Sequence, residues 1–316
     1  MAQVVFIGAP EADAQTFQRR IRADLPDIDL FASNQRGQAF EHLAGCEVLI
    51  GHHFQFDDAL LERAPDLKWI QSLTSGTDAI LKLAALRSEV VVTSTRGMHG
   101  PQMSELVFLA VLALTRDFPR MLRNQANKVW ERWPQPLLYG KTAVIVGVGA
   151  ISESLAPRCK SFGMEVCGVT ASPRAAPGFD RMFARQDLKD AAALADYLIV
   201  MVPHTPDNEN LIDASILRAM KRSAFLINVA RGAVLDEAAL IDALNGRRIA
   251  GAALDVFRET PLSSDSPLWG QERLVITPTV GGMSDVYLDQ CYPYVRDNLR
   301  QFLENGSDNL INQVSR

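Results

Sequence analysis

Residues 143–152 read AVIVGVGAIS. The apolar run 143–146 is what a strand buried on both faces of a parallel sheet requires, and it breaks at once into Gly147-Val148-Gly149. A helix opens directly afterwards, so the glycines stand in a strand-to-helix turn. Glycine serves such a turn in two ways. The chain reverses tightly, and its backbone comes close enough to a pyrophosphate for the charge to rest on the N–H groups of the helix N-terminus. Ser152 stands where a third glycine would complete G-x-G-x-x-G, a position that governs helix–strand packing and tolerates a small side chain. An ordinary turn would need none of this, but the next predicted strand, 166–169, closes a βαβ unit of about 30 residues, the unit that binds dinucleotides.

At the end of that second strand, about 20 residues beyond the glycines, an Asp or Glu would accept the ribose 2′-hydroxyl of NAD. The sequence there is Val169-Thr170-Ala171-Ser172-Pro173-Arg174, without a carboxylate. The hydroxyls of Thr170 and Ser172 and the guanidinium of Arg174 suit a 2′-phosphate, so NADP is expected ahead of NAD.

The same rhythm runs outward in both directions. Predicted strands at 4–7, 28–31, 48–50, 69–71 and 90–93 alternate with helical stretches such as 12–23 and 57–63. TSTRGMHGPQMSE (93–105) interrupts both periods with Gly97, Gly100 and Pro101 and reads as a hinge, with Pro101 in the first turn of an apolar helix, 102–114. Beyond the glycine turn, strands are predicted at 197–202, 224–228, 250–254 and 275–277, then a long helix at 286–305. The remaining tail is too short for a domain, so this last helix must pack on one of the two already formed. The fold class is α/β: two Rossmann-like doubly wound domains with parallel sheets. The expected division is 1–98 plus 284–316 as the substrate-binding (catalytic) domain and 99–283 as the dinucleotide-binding domain.

Composition agrees. At roughly 150 residues per domain, 316 residues make about two. Thirty-two Lys and Arg against 37 Asp and Glu leave a net charge of −5, which argues against a nucleic-acid partner held by a broad basic surface. Cys46, Cys159, Cys167 and Cys291 are scattered, without CxxC or metal-ligand spacing, so neither a disulfide framework nor a metal site is expected. No apolar run approaches the roughly 20 residues of a membrane span, and MAQVVFIGAPEADAQ has no basic, long-cored signal segment. A cytoplasmic setting is the expectation.

Further segments carry a resemblance: SGTD (75–78), RGMHGPQMSE (96–105), LINVARGAVLDEAALIDAL (226–244), GAALDVFRETPL (251–262) and ITPTVGGMSD (276–285). With the glycine turn, and in this order, they resemble the D-isomer-specific 2-hydroxyacid dehydrogenase family, in particular its glyoxylate/hydroxypyruvate reductase-like branch, over about residues 45–304. The resemblance implies a nucleotide domain inserted into a catalytic domain, a small 2-oxo or 2-hydroxy acid as substrate, and a homodimer with helix 102–114 in its interface. Val107, Phe108, Leu109, Val111, Leu112 and Leu114 make that helix too apolar for a solvent face, although burial within its own domain would explain the same pattern.

Reduction of a 2-oxo acid needs a cation on the carboxylate and carbonyl, a hydride donor, and an acid for the developing alkoxide. Arg231, in NVARG, matches the family's substrate-binding arginine, whose planar fork suits an α-keto carboxylate. Ser75, Gly76 and Thr77 match the loop whose backbone N–H groups receive that carboxylate. The implied cofactor positions are Gly147, Gly149, Ala150, Ile151, Thr170, Ser172, Arg174, Pro203, His204, Val229, Asp255 and Gly281. Asp255 matches the acceptor of the nicotinamide carboxamide, though it could instead cap a turn.

The pattern departs at the acid/base pair. The family carries Glu in DVFxxEPL and His in PHxxG, and here those positions are Thr260 and Thr279. Neither hydroxyl is an acid near neutral pH, and loss of such a group typically costs about 10²–10⁴-fold in rate. Losing both together is coherent, because a glutamate left without its imidazole would be an unpaired buried charge. The chain has five histidines, and His99, in the hinge, and His53, after a strand end on the side of SGTD, are the best replacements. A dinucleotide-binding sensor without turnover, or different cofactor-dependent chemistry on the same scaffold, are the alternatives.

Overall fold

The structure is a computed structural model and describes residues 1–8 and 11–314. Elements are numbered along the chain. The first segment runs β1 (Ala2–Ile7), α1 (Glu11–Asp24), β2 (Ile28–Ser33), α2 (Arg36–Phe40), β3 (Val48–Gly51), α3 (Asp58–Leu61), β4 (Trp69–Ser72), α4 (Asp78–Leu81) and β5 (Val91–Thr93). Next come α5 (Gly100–Thr115), α6 (Phe118–Ala126), β6 (Thr142–Val146), α7 (Ala150–Ser161), β7 (Glu165–Thr170) and β8 (Arg181–Ala184). They are followed by α8 (Leu188–Leu194), β9 (Tyr197–Val200), α9 (Ala214–Ala219), β10 (Phe225–Asn228), α10 (Glu237–Asn245), β11 (Gly251–Leu254) and β12 (Leu274–Ile276). The last helix is α11 (Tyr287–Asn305). Two compact units result, Met1–Met98 with Ser284–Arg316, and His99–Met283.

The first unit holds a five-stranded parallel sheet in the order β2-β1-β3-β4-β5. Alternate residues of each strand face opposite ways. Val4, Phe6, Val48 and Ile50 pack with Phe17 and Ile21 of α1 and with Val295, Leu299 and Phe302 of α11. Val5, Ile7, Leu49 and Ile70 pack on the other face with Ala39, Leu43 and Leu60. The final helix therefore belongs to this unit, and the tail behind it extends the sheet: Thr93 bridges Gln313 antiparallel, and Val314 donates its N–H to the Val92 carbonyl at 2.9 Å.

The second unit holds a seven-stranded parallel sheet, β12-β11-β10-β9-β6-β7-β8. Its order reverses between β6 and β9, the switch point outside which such folds bind ligands at the carboxyl ends of the strands. Val144, Val146, Leu198 and Val200 pack against Leu188, Ile216, Leu217 and Leu240 on one face. Ala143, Ile145, Tyr197 and Ile199 pack against Val107, Val111, Leu155 and Cys159 on the other. Both faces being covered explains why these strands read as continuous apolar runs.

The sequence places the strands within a few residues but omits β8, a short edge strand without an apolar alternation. The run expected to reach residue 202 ends at Val200, ahead of Pro203. For α5 the apolar count alone is a poor guide to an interface, because Val107 and Val111 are consumed by the unit's own core. Leu109, Phe118, Leu122, Val129, Trp130, Leu137 and Tyr139 are large apolar or aromatic side chains left exposed in this region. No helix among the described residues is long and apolar enough to cross a membrane.

Candidate active site

In a parallel sheet all strand C-termini lie on one edge, so the residues just after each strand share that edge. In the second unit β6 delivers Gly147 and Gly149, β7 delivers Ser172 and Arg174, and β9 delivers Pro203 and His204. Val229 and Arg231 follow β10, Asp255 follows β11, and Thr279 and Gly281 follow β12.

Gly147 has φ +104°, and a Cβ there would stand 2.8 Å from the Met201 carbonyl carbon, so only glycine fits. Gly149 is extended, and a Cβ on it would meet nothing within 4 Å. Open space therefore lies over the start of α7, a cradle suited to a phosphate approaching the N–H groups of Ala150 and Ile151. Ser152 is more than a small packing residue: its hydroxyl accepts the Gly149 N–H at 2.7 Å and donates to the Gly149 carbonyl at 2.9 Å. Thr170 ends β7 half-buried, Ser172 is exposed, and Arg174 is ion-paired with Glu153 of α7.

His204 lies 2.7 Å from the Glu209 carboxylate, which also pairs with Arg258 at 2.9 Å. Hydrogen bonds from His204 and Arg258 hold the Glu209 carboxyl below its ordinary range. Asn208 donates to the Pro203 carbonyl at 2.8 Å, fixing the same loop.

Arg231 follows a turn braced by Asn228, whose side chain accepts the Ala230 N–H at 3.1 Å and donates to the Arg231 carbonyl at 3.0 Å. A guanidinium N–H of Arg231 also reaches the Ala230 carbonyl at 2.8 Å. Gly232 next to it has no alternative, since a Cβ would lie 1.9 Å from the Phe257 carbonyl carbon. Asn228 is invisible to motif reading, although a fully buried amide at a strand end is a signal that some backbone needs it.

Asp255 is buried and accepts the Thr277 hydroxyl at 2.6 Å and the N–H groups of Val280 and Gly281, both at 3.0 Å. It therefore clamps the turn after β12 whatever else it binds. That turn carries Thr279, which is exposed and left-handed at φ +56°. Thr260 is exposed on the loop after β11. His99, at the start of α5, is buried, and its Cδ2 lies 3.7 Å from where a Cβ on Gly282 would be. Its imidazole thus sits against the turn that bears Thr279. Tyr139 packs its ring over Gly163.

The first unit brings His53 and the 75–77 turn together through Thr74, which sequence reading passed over. The Thr74 hydroxyl lies 3.2 Å from Nδ1 of His53, donates to the Gly76 carbonyl at 2.9 Å, and lies 2.9 Å from the Ser72 hydroxyl. Thr77 is buried at the start of α4, while Ser75 and Gly76 are half-buried. Thr95, fully buried, donates its N–H to the Thr74 carbonyl at 3.4 Å, and its hydroxyl has no partner among the described residues.

Comparison with known proteins agrees with this arrangement. Residues 108–281 match the family described as "D-isomer specific 2-hydroxyacid dehydrogenase, NAD binding domain". The chain is 33% identical over 269 residues to a glyoxylate reductase of Thermococcus litoralis, covering 81% of this chain and 80% of that protein. A crystal structure of a D-isomer specific 2-hydroxyacid dehydrogenase family protein from Aeromonas salmonicida superposes with a TM-score of 0.91 at 31% identity, covering 99% of both chains. A D-isomer specific 2-hydroxyacid dehydrogenase from Xanthobacter autotrophicus, solved with NADPH and MES, gives 0.84 at 27% identity, covering 99% of this chain and 98% of that one. A family match over more than half of the chain, together with this likeness in sequence and in fold, identifies it: this chain belongs to the D-isomer specific 2-hydroxyacid dehydrogenase family.

Proposed function

We propose that the protein is an NAD(P)-dependent oxidoreductase that interconverts a small 2-oxo acid and the corresponding 2-hydroxy acid, with glyoxylate and hydroxypyruvate as the first substrates to try. The observation that carries this reading is the common edge on which the Gly147–Gly149 cradle, Arg231 and Asp255 follow strands of one parallel sheet. A bound dinucleotide supplies or takes up the hydride. The N–H groups at the start of α7 hold its phosphates. Arg231 holds the substrate carboxylate through its fork and polarises the carbonyl beside it. The backbone N–H groups of residues 75–77 are the carboxylate donors proposed in the first unit, and Thr74 links His53 to that turn.

Threonine at 260 and 279 leaves the proton to another group. We assign it to His99, because its imidazole is buried beside the turn that bears Thr279. His99→Ala is then expected to lower kcat by about 10²–10⁴-fold while leaving dinucleotide affinity unchanged.

Arg174, Thr170 and Ser172, with no carboxylate at the end of β7, favour NADP over NAD. A homodimer is part of the proposal, formed over the exposed apolar residues Leu109, Phe118, Leu122, Trp130 and Leu137, which light scattering checks. The four cysteines are free and buried, and burial pushes the thiols of Cys46, Cys159 and Cys291 up to about 12.

The test is a reduction assay with NADPH and NADH against glyoxylate, hydroxypyruvate, pyruvate and phenylpyruvate, with dinucleotide binding followed in the same samples. Turnover at ordinary rates of about 1–10³ s⁻¹ supports the reading. Tight binding without turnover would favour a dinucleotide sensor, the reading that Thr260 and Thr279 suggest; absence of binding would remove both.

A further inference from the structure

Arg174 follows β7 at the place where the dinucleotide fold meets the adenosine ribose. Its guanidinium is engaged by the carboxylate of Glu153, in the first turn of α7 and 21 residues away in sequence. The contact joins the two elements that flank the glycine cradle. Glu153 is thus a negative charge held beside the helix N-terminus that would receive phosphate, on the cation that a 2′-phosphate would use.

We propose that Glu153 is a specificity-determining residue: its carboxylate competes with the 2′-phosphate of NADP(H) for Arg174 and so moderates the preference over NAD(H). The proposal rests on the reading of residues 170–174 as the segment that faces the ribose. A 2′-phosphate carries about two negative charges and must displace or share the guanidinium. The pair is largely exposed, with side-chain accessibilities of 57% for Arg174 and 31% for Glu153, so the competition is modest and sensitive to salt. NAD(H) carries the same pyrophosphate but a hydroxyl in place of the 2′-phosphate, so it does not compete with Glu153 for the guanidinium. Removing the carboxylate should therefore act more on NADP(H) than on NAD(H).

The experiment titrates NADPH and NADH into the wild type, Glu153→Gln, Arg174→Gln and the double variant, following nicotinamide fluorescence at low and high salt. Thermal melting of each variant checks that it is folded, and Arg174→Lys serves as the variant that keeps the charge. Glu153→Gln is expected to tighten NADPH by about 1.5- to fivefold, the range that an exposed ion pair supports, while NADH changes by less. Arg174→Gln should weaken NADPH, Arg174→Lys should retain most of its binding, and Glu153→Gln should gain nothing once Arg174 is gone. An equal shift for both cofactors, a gain that persists without Arg174, or a loss of NADH binding in Glu153→Gln would overturn the proposal. A wild-type protein that binds neither dinucleotide would instead remove the cofactor reading beneath it, a result distinct from an unchanged ratio between two cofactors that both bind.

Discussion

The hydroxyl of Thr277 lies 2.6 Å from Oδ1 of Asp255 and donates to it, so the end of β11 is fastened to the turn that follows β12. The same carboxylate takes the N–H groups of Val280 and Gly281. Gly281 can come this close because it lacks a Cβ, which would stand 2.4 Å from Leu106 and 3.0 Å from Asp255 itself. Asp255→Asn turns one acceptor into a donor facing a backbone N–H. With charged hydrogen bonds worth about 1.5–3 kcal/mol, the variant should melt well below the wild type even without ligand. A variant that melts normally but binds dinucleotide weakly would instead assign Asp255 wholly to the cofactor.

The two glycines of the turn should respond differently to alanine. Gly147→Ala puts a Cβ against the Met201 backbone at φ +104°, so it should lose about 1–2 kcal/mol or more of stability. Gly149→Ala meets nothing within 4 Å and is extended, so its melting temperature should stay near that of the wild type. Its methyl nevertheless occupies the cradle, and dinucleotide affinity should fall by about tenfold, near 1.4 kcal/mol. Melting curves and fluorescence titration of the two proteins separate the effects.

Thr279 is β-branched and left-handed, a conformation that Asn and His adopt far more readily. Thr279→Asn should raise stability by about 1 kcal/mol, visible as a few degrees in melting temperature. Thr279→His relieves the same strain and, with Thr260→Glu, introduces the acid/base residues that the sequence resemblance implies at both positions. Introduced into the His99→Ala variant, the pair should raise glyoxylate or hydroxypyruvate reduction by about 10²–10⁴-fold if the rest of the site is competent. A protein carrying all three changes that folds, binds dinucleotide and stays at the His99→Ala rate would mean a pocket reshaped for other chemistry.

Burial lowers the pKa of His52, which follows β3 and stacks on Tyr287 with ring centroids 5.5 Å apart. The folded chain then resists protonation that the unfolded chain accepts near the ordinary histidine value of about 6.5. Stability from this group is complete above that value and is lost as the pH falls toward the folded-state pKa. His52→Phe keeps the stack but does not titrate. Between pH 7 and pH 5 its melting temperature should fall less than that of the wild type, and parallel curves would assign the acid sensitivity elsewhere.

Most of the architecture is legible in the sequence. Apolar runs such as 143–146 and 197–200 mark strands covered on both faces, helix-length segments between them force parallel crossovers, and parallel strands put every C-terminus on one edge. That chain of reasoning places Gly147, Arg231, Asp255 and Thr279 along a single edge from sequence alone. The edge strand β8 escaped it, because Arg181–Ala184 has no face to alternate.

What the tertiary structure alone decided is which polar groups pair, both within a few residues and across long stretches of chain. Ser152 uses the Gly149 N–H, leaving phosphate to the residues behind it. Asn228 braces the Arg231 turn, Thr74 links His53 to Gly76, and Glu153 holds Arg174. Residues 313 and 314 extend the first sheet beside β5. The apolar residues of α5 serve first its own unit's core. Periodicity and turn chemistry are local and leave their mark within a few neighbouring residues. A hydrogen bond or ion pair between residues 21 or more apart leaves none, because each partner alone looks like any other polar side chain until the chain has folded around it.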